Sequence, residues 1–424
     1  MMLLAIVASM GVTMPSAAQA QDREQGRERS LDREADIEDD EEDVEERKLV
    51  RRSAPSNLYV DPASFFRLHG YATLSYSATG DELGASPFRT PHILVSGLSP
   101  RTGQNEGGFR HDAALFVGAE PFDGVSATIE LHFVGNGLDP VLTEAKATWD
   151  FLTLEDTEVI ALRIVGGRYW WPFGNHNGEW FSAVNRFSLV SVAAAEVVPA
   201  HFNEVGIMLE GEISLSRSVG INATLSVGNG VPSFELPDVI RQTAFDYDGD
   251  PTLTGRAALF AVESALTFEA GFSVSQGQLR VGLDPTFVET DPRRFGADFL
   301  ALGVDVSLAL AGFDLSGYYY ASTENLDEAM LESLSRQGLT VEAGYRFDLG
   351  LKFLRGIGFA GRVSYANEET LDSGKQVWLQ YGGALYADIT RAFTFRASYL
   401  AQEEMDAALD IDNNVLTVSM TAEF

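Results

Sequence analysis

Residues 66–78 read FRLHGYATLSYSA, and they decide the fold. Leu68, Gly70, Ala72, Leu74, Tyr76 and Ala78 alternate with Arg67, His69, Tyr71, Thr73, Ser75 and Ser77. Successive side chains of an extended strand point to opposite faces, so this period of two predicts a strand with one apolar and one polar face. The pattern recurs down the chain. Val125, Ala127, Ile129, Leu131 and Phe133 alternate with Ser126, Thr128, Glu130 and His132, and Leu339 to Phe347 repeats it around Thr340, Glu342, Gly344 and Arg346. The chain ends the same way, with Leu416, Val418, Met420, Ala422 and Phe424 set against Thr417, Ser419, Thr421 and Glu423.

Alternation alone serves two architectures. In a soluble sandwich the apolar face packs on a second sheet; in a membrane barrel it meets lipid and the polar face lines the lumen. The connections separate the two. Strands are expected near 66–78, 109–119, 124–134, 141–151, 158–167, 204–213, 218–228, 255–262, 265–275, 297–309, 312–321, 338–348, 357–366, 376–388, 392–401 and 414–424. Every even-numbered connection between them is short, such as Glu120-Pro121-Phe122-Asp123 or Ala311-Gly312, while the odd-numbered ones are longer except for Gly135 to Pro140. Transmembrane barrels sort their loops by parity in this way, with short periplasmic turns and longer external loops, and a sandwich has no reason to. Strands of about 10 residues at a ~45° tilt cross the hydrocarbon layer. The expected fold is therefore all-β, a transmembrane antiparallel barrel of about 16 strands spanning residues 61–424.

What precedes the barrel differs in character. Residues 1–20, MMLLAIVASMGVTMPSAAQA, have an apolar run followed by small residues ending Ala18-Gln19-Ala20, the pattern of a cleaved export signal. No Lys or Arg precedes the run, which leaves open a start upstream of Met1. Residues 21–60 form an acidic arm expected in the periplasm, disordered or a short coiled coil through Leu31, Ile37, Val44 and Leu49, because so few apolar residues cannot offset chain entropy. Over 21–52 there are fourteen acids against eight bases, so most of the net charge of −32 belongs to the barrel and its loops.

That charge repels phosphates and excludes nucleic acid as a partner. The absence of cysteine excludes thiol catalysis and cysteine-type zinc sites. The six histidines, His69, His92, His111, His132, His176 and His201, show no metal-ligand spacing, and no Gly-x-Ser-x-Gly elbow is present. Asp246-Tyr247-Asp248-Gly249-Asp250 resembles a fragment of a calcium loop but lacks the downstream glutamate. No catalytic residue, metal or cofactor is expected; a rim site built on His69, or on His111 with Asp112, is the weak alternative for an enzyme.

Several segments resemble the phosphate-selective porin O/P family. They are Gly166-Gly167-Arg168-Tyr169-Trp170-Trp171-Pro172-Phe173-Gly174, the hairpin from Gly255-Arg256 to Phe268-Glu269-Ala270-Gly271-Phe272-Ser273, Gly361-Arg362-Val363-Ser364-Tyr365, and the terminal Phe424. The resemblance covers about residues 66–424. It implies a 16-stranded outer-membrane porin of a Gram-negative bacterium, a homotrimer whose third external loop folds into the lumen, with Phe424 read by the barrel-insertion machinery and the wall in contact with lipid and lipopolysaccharide.

The corresponding loop here runs from about Arg168 to Asn203 and carries Trp170, Trp171, Trp180, His176, Glu179, Arg186, Glu196 and His201, but no lysine. A phosphate-selective pore replaces the hydration of its anion with clustered Arg and Lys. The residues expected to line the pore are instead mixed: Arg67, Glu130, Glu144, Lys146, Arg163, Arg168, Glu179, Arg186, Glu210, Arg346, Arg362 and Arg396. Such a lumen suits neutral solutes or a modest preference for cations. The expected function is passive diffusion of small hydrophilic solutes or ions. A structural or adhesive barrel without an open channel, and a soluble periplasmic sandwich, are the alternatives.

Overall fold

A computed structural model describes residues 66–80, 107–122, 124–134, 140–153, 160–176, 185–187, 190–197, 203–229, 251–280, 296–326, 333–370, 374–390, 392–405 and 414–424. The expected export signal, the acidic arm, Glu179, Trp180, His201 and the Asp246–Asp250 segment lie outside the described residues. No helix among the described residues is long and apolar enough to cross a membrane.

Sixteen antiparallel strands form one closed barrel. They are β1 (Phe66–Gly80), β2 (Gly107–Phe122), β3 (Val125–Val134), β4 (Pro140–Thr153), β5 (Ile160–Trp170), β6 (Asn203–Ser214), β7 (Val219–Gly228), β8 (Thr252–Glu263), β9 (Leu266–Arg280), β10 (Gly296–Leu310), β11 (Phe313–Leu326), β12 (Leu334–Leu351), β13 (Leu354–Thr370), β14 (Gly374–Asp388), β15 (Phe393–Met405) and β16 (Asn414–Glu423). Each strand pairs with its neighbours in sequence, and β1 pairs with β16 to close the ring. A helix of five residues, α1 (Val192–Glu196), sits in the connection between β5 and β6.

The seam is made at the chain's end. Tyr71 to Gly80 runs against Glu423 to Asn414 without a break. Phe424 and Gly70 then exchange both backbone hydrogen bonds at 3.0 Å. The Phe424 ring lies over Gly70, where an added Cβ would sit 2.7 Å from it, so only glycine leaves room for the terminal aromatic.

The two faces separate as the alternation predicts. In β10, Leu300, Leu302 and Val304 are 41–49% exposed on the outside, while Phe299, Ala301 and Asp305 are at most 1% exposed within. Leu68, Leu74 and Tyr76 of β1 and Leu416, Val418 and Met420 of β16 extend the same outer face. An apolar outer face of this extent fits the hydrocarbon of a membrane better than water.

The structure moves some boundaries. The expected turn at Glu120–Asp123 gives way to strand, since β2 continues to Phe122. The register slips between Ala119 and Phe122, because Pro121 has no N–H for the ladder and is carried in that irregularity. The connection between β13 and β14, expected to be of medium length, shrinks to residues 371–373 because both strands run past their expected ends. The tight turn at Ala311-Gly312 stands, with both residues at positive φ (49° and 89°), as a two-residue hairpin requires.

An arginine placed at Val304, mid-strand on the outer face, should destabilise the barrel by about 2–4 kcal/mol, whereas arginine at the inward Ser307 should cost much less. Reversible denaturant unfolding in lipid vesicles measures the difference, and equal costs at the two positions would contradict the assignment of faces.

Candidate functional site: the inner wall and the loop docked on it

The inner wall carries the chemistry, and one connection enters it. After β5 the chain makes a turn at Pro172-Phe173-Gly174, where Gly174 has φ +61°. A Cβ at Gly174 would lie 2.1 Å from the Tyr320 hydroxyl, so glycine serves both the turn and the close approach. The Gly174 N–H donates to Ser273 Oγ (2.9 Å), and Trp171 Nε1 donates to Thr254 Oγ1 (2.8 Å). Trp171 stacks on Phe173 with ring centroids 4.6 Å apart, and Phe173 packs on Tyr320. His176 is fully buried with its Nδ1 3.0 Å from the Tyr320 hydroxyl.

Further along, Arg186 forms a buried ion pair with Asp314 of β11 and lies 3.6 Å from Glu342 of β12. Arg362 of β13 binds Glu342 through two nitrogens (3.1 and 2.9 Å) and places its guanidinium 4.4 Å from the Phe187 ring centroid. Ser191 caps α1, accepting from the Ala194 N–H (3.3 Å), and its hydroxyl also bonds the Tyr318 hydroxyl. The Ala193 N–H donates to Ser364 Oγ (3.1 Å), Ser322 Oγ donates to the Val197 carbonyl (2.6 Å), and Gln380 Nε2 donates to the Val190 carbonyl (3.3 Å). Gly338 lets α1 touch the wall, since a Cβ there would come within 2.8 Å of Ala193 and Val197. The connection thus leaves the wall at β5 and is held on the inner face of strands β8 to β14.

Each of the expected pore-lining residues except Glu179, which lies outside the described residues, has a place in the fold. Arg67 lies in β1 opposite Gly118, and its side chain is outside the described residues. Lys146 pairs with Glu144 at 2.6 Å. Arg163 pairs with Asp150 at 3.1 Å and approaches Glu210 at 3.7 Å; Arg163 and Asp150 are exposed and Glu210 is half-buried. Arg346 meets Asp348 (3.0 Å) and Asp388 (2.8 Å). Arg168 lies near the end of β5, across from Ala145 and Val205. Buried Arg396 donates to Thr421 Oγ1 at 2.8 Å. Glu130 is buried and accepts from Trp170 Nε1 at 3.0 Å. Two further arginines not among the expected pore-lining residues are paired as well: Arg256 with Glu269 (2.9 Å) and Asp305 (2.5 Å), and Arg336 with Glu324 and Glu368 (2.8 Å).

A buried charge is tolerated only when paired, and this wall obeys that rule almost throughout. His132 is bound to Asp112 at 2.5 Å, and the Tyr71 hydroxyl reaches both. Among the described residues, no three His, Asp or Glu side chains are arranged to hold a metal ion. The loop's receptors Asp314, Tyr318, Tyr320, Gly338, Ser364 and Gln380 were not legible as such. Their positions in strands were, but which inward residue a distant loop would touch leaves no local pattern.

No described protein family matches the chain, and no curated protein is similar to it in sequence. Solved structures do match. OmpT of Vibrio cholerae, expressed in the outer membrane, is 10% identical over 85% of this chain and 99% of its own, with a TM-score of 0.51. The trimer form of in-vitro folded OmpT of Vibrio cholerae is 9% identical over 85% of this chain and 100% of its own, with a TM-score of 0.50. The likeness shows a shared β-barrel fold.

Burial pulls the His176 imidazole from its ordinary value near 6.5 down to about 3, so the docked loop holds it neutral. The undocked loop takes up a proton below about pH 6.5 and the docked one does not, so docking is favoured fully above that pH and weakens as pH falls toward 3. Amide exchange at Ala193–Ala195 should therefore quicken from pH 7 to pH 5, once corrected for intrinsic rates. A His176→Phe variant should lose that dependence, and an unchanged profile would contradict the role given to His176.

Proposed function

We propose that this protein is a passive porin, through which small hydrophilic solutes or ions diffuse along a water-filled lumen narrowed by the β5–β6 loop. The observation that carries this reading is the docking of that loop. A closed barrel of sixteen strands encloses more space than its own side chains fill, and here a long connection is bonded to the inner wall through residues from Trp171 to Val197 rather than left over the rim. A structural or adhesive barrel has no need to hold a long loop inside.

The ion pairing supports weak charge selection. Lys146, Arg163, Arg186, Arg256, Arg336, Arg346 and Arg362 each face at least one carboxylate. A ladder of uncompensated cations that could strip phosphate of its hydration is therefore not part of this reading, and the family resemblance is carried here only as far as the barrel and its inward loop. With acids in excess across the chain, the lumen would favour cations modestly. We further infer a homotrimer in lipid and lipopolysaccharide, a reading supported by the trimeric neighbour, with Phe424 presented to the insertion machinery at the seam it closes.

Purified protein in planar bilayers should give discrete single-channel steps, and a salt gradient should give a reversal potential of the sign expected for modest cation preference. A Gly338→Leu substitution should drive α1 off the wall and raise unit conductance. Unchanged conductance in a correctly folded Gly338→Leu barrel would count against the constriction, and absence of steps in the parent protein would count against the channel.

A further inference from the structure

We propose that Arg163 is the residue that sets the ion preference of the channel, and that the selecting charges lie on the wall across from the docked loop rather than on the loop. The proposal rests on the channel reading and deepens it. Arg163 lies near the start of β5, close to the short connection from β4. Its neighbours across the sheet are Asp150 on β4 and Glu210 on β6. Residues directly opposite in an antiparallel sheet share a face, and the next residue switches face. The adjoining rung of Trp149, Ile164 and Leu209 is exposed on the outside, so Asp150, Arg163 and Glu210 all point into the lumen. The Arg163 guanidinium is 3.1 Å from Asp150 and 3.7 Å from Glu210. A single cation thus stands between two carboxylates and leaves one carboxylate charge uncompensated.

Access sets this cluster apart. The side chains of Arg163 and Asp150 are each 44% exposed, and that of Glu210 is 23% exposed. The other lumenal arginines held in ion pairs are more enclosed, at 22% for Arg346, 13% for Arg256 and 8% or less for Arg336, Arg186 and Arg362. The docked loop bonds to the wall from Thr254 of β8 round to Gln380 of β14, and β5 stands eight strands round the ring from β13. Arg186, the charge the loop brings into the lumen, is spent on Asp314 and shut away from water. An enclosed pair at contact distance shows a passing ion little net field, whereas an accessible and uncompensated charge acts on it directly. Charge selection in a pore comes from the rings of charge that the ion meets. The loop therefore narrows the lumen by its volume, and the cluster on β4, β5 and β6 selects the sign. Asp150 and Glu210 draw cations, and Arg163 holds that preference to a modest level.

Reversal potentials of the full chain in planar bilayers under a potassium chloride gradient test the assignment. Arg163→Gln should raise the permeability ratio of potassium over chloride by about two- to fivefold in dilute salt, the size expected of one accessible charge acting through water. Asp150→Asn combined with Glu210→Gln, with Arg163 kept, should move the reversal potential the opposite way. Arg163→Lys keeps the charge and should return the parental value. The differences should shrink as salt rises toward about 1 M, where screening cuts the reach of a charge to about 3 Å. A mere change of pore shape would alter conductance without this reversal of sign or this dependence on salt. Exposed ion pairs contribute little to stability, so each variant should migrate as a heat-modifiable folded barrel, and the double acid variant carries the test alone if Arg163→Gln does not fold. An unchanged reversal potential in a folded variant that alters the charge, or shifts of one sign in both, overturns the assignment and leaves the channel reading intact. Absence of steps in the parent protein removes the channel reading and the assignment with it.

Discussion

Every peptide group of a segment in hydrocarbon must find its hydrogen bond within the protein, because the solvent offers none. A sheet meets that demand only if it has no edge. The seam between β1 and β16 is therefore the contact on which the rest depends, and it is finished by the last residue: Phe424 gives its N–H and carbonyl to Gly70 and lays its ring over the same glycine. Closure dictates the antiparallel meander, and the meander explains why a strand-by-strand alternation of apolar and polar residues is repeated sixteen times. The low identity to barrels of the same fold follows from the same physics. Lipid accepts any apolar side chain at an outward position, so the pattern persists while the residues do not.

A wall of this circumference encloses a volume its side chains cannot fill, and the chain answers with one of its own connections. Docking that connection buries charges and backbone amides. Partners from the wall meet several of them, with Arg186 on Asp314, the α1 amide of Ala193 on Ser364, and the carbonyls of Val190 and Val197 on Gln380 and Ser322. The aromatic stack from Trp171 through Phe173 to Tyr320 supplies apolar contact in a region otherwise rich in polar groups. Removing one member of a buried ion pair leaves the other uncompensated, a loss of about 3–5 kcal/mol. That penalty is why arginines buried on this wall, such as Arg186, Arg256 and Arg362, lie against carboxylates.

The amino-acid sequence by itself determined the strands, their faces and the parity of the connections, because a period of two is a local property that any strand displays along its own length. Residues 66–78 suffice to orient β1, and Ala311-Gly312 suffices to mark a hairpin. It also offered Arg186, Glu130, Glu144 and Lys146 as candidate pore-lining residues, since each occupies a polar face or the long connection. Tertiary structure alone decided who meets whom. Nothing near Arg186 announces Asp314, nothing near Ala193 announces Gly338 and Ser364, and a bulge at Thr143 sets the side chains around Glu144 by a register no single strand contains. These contacts join residues far apart in the chain, and they exist only because the sheet closes and brings opposite walls within reach of one loop.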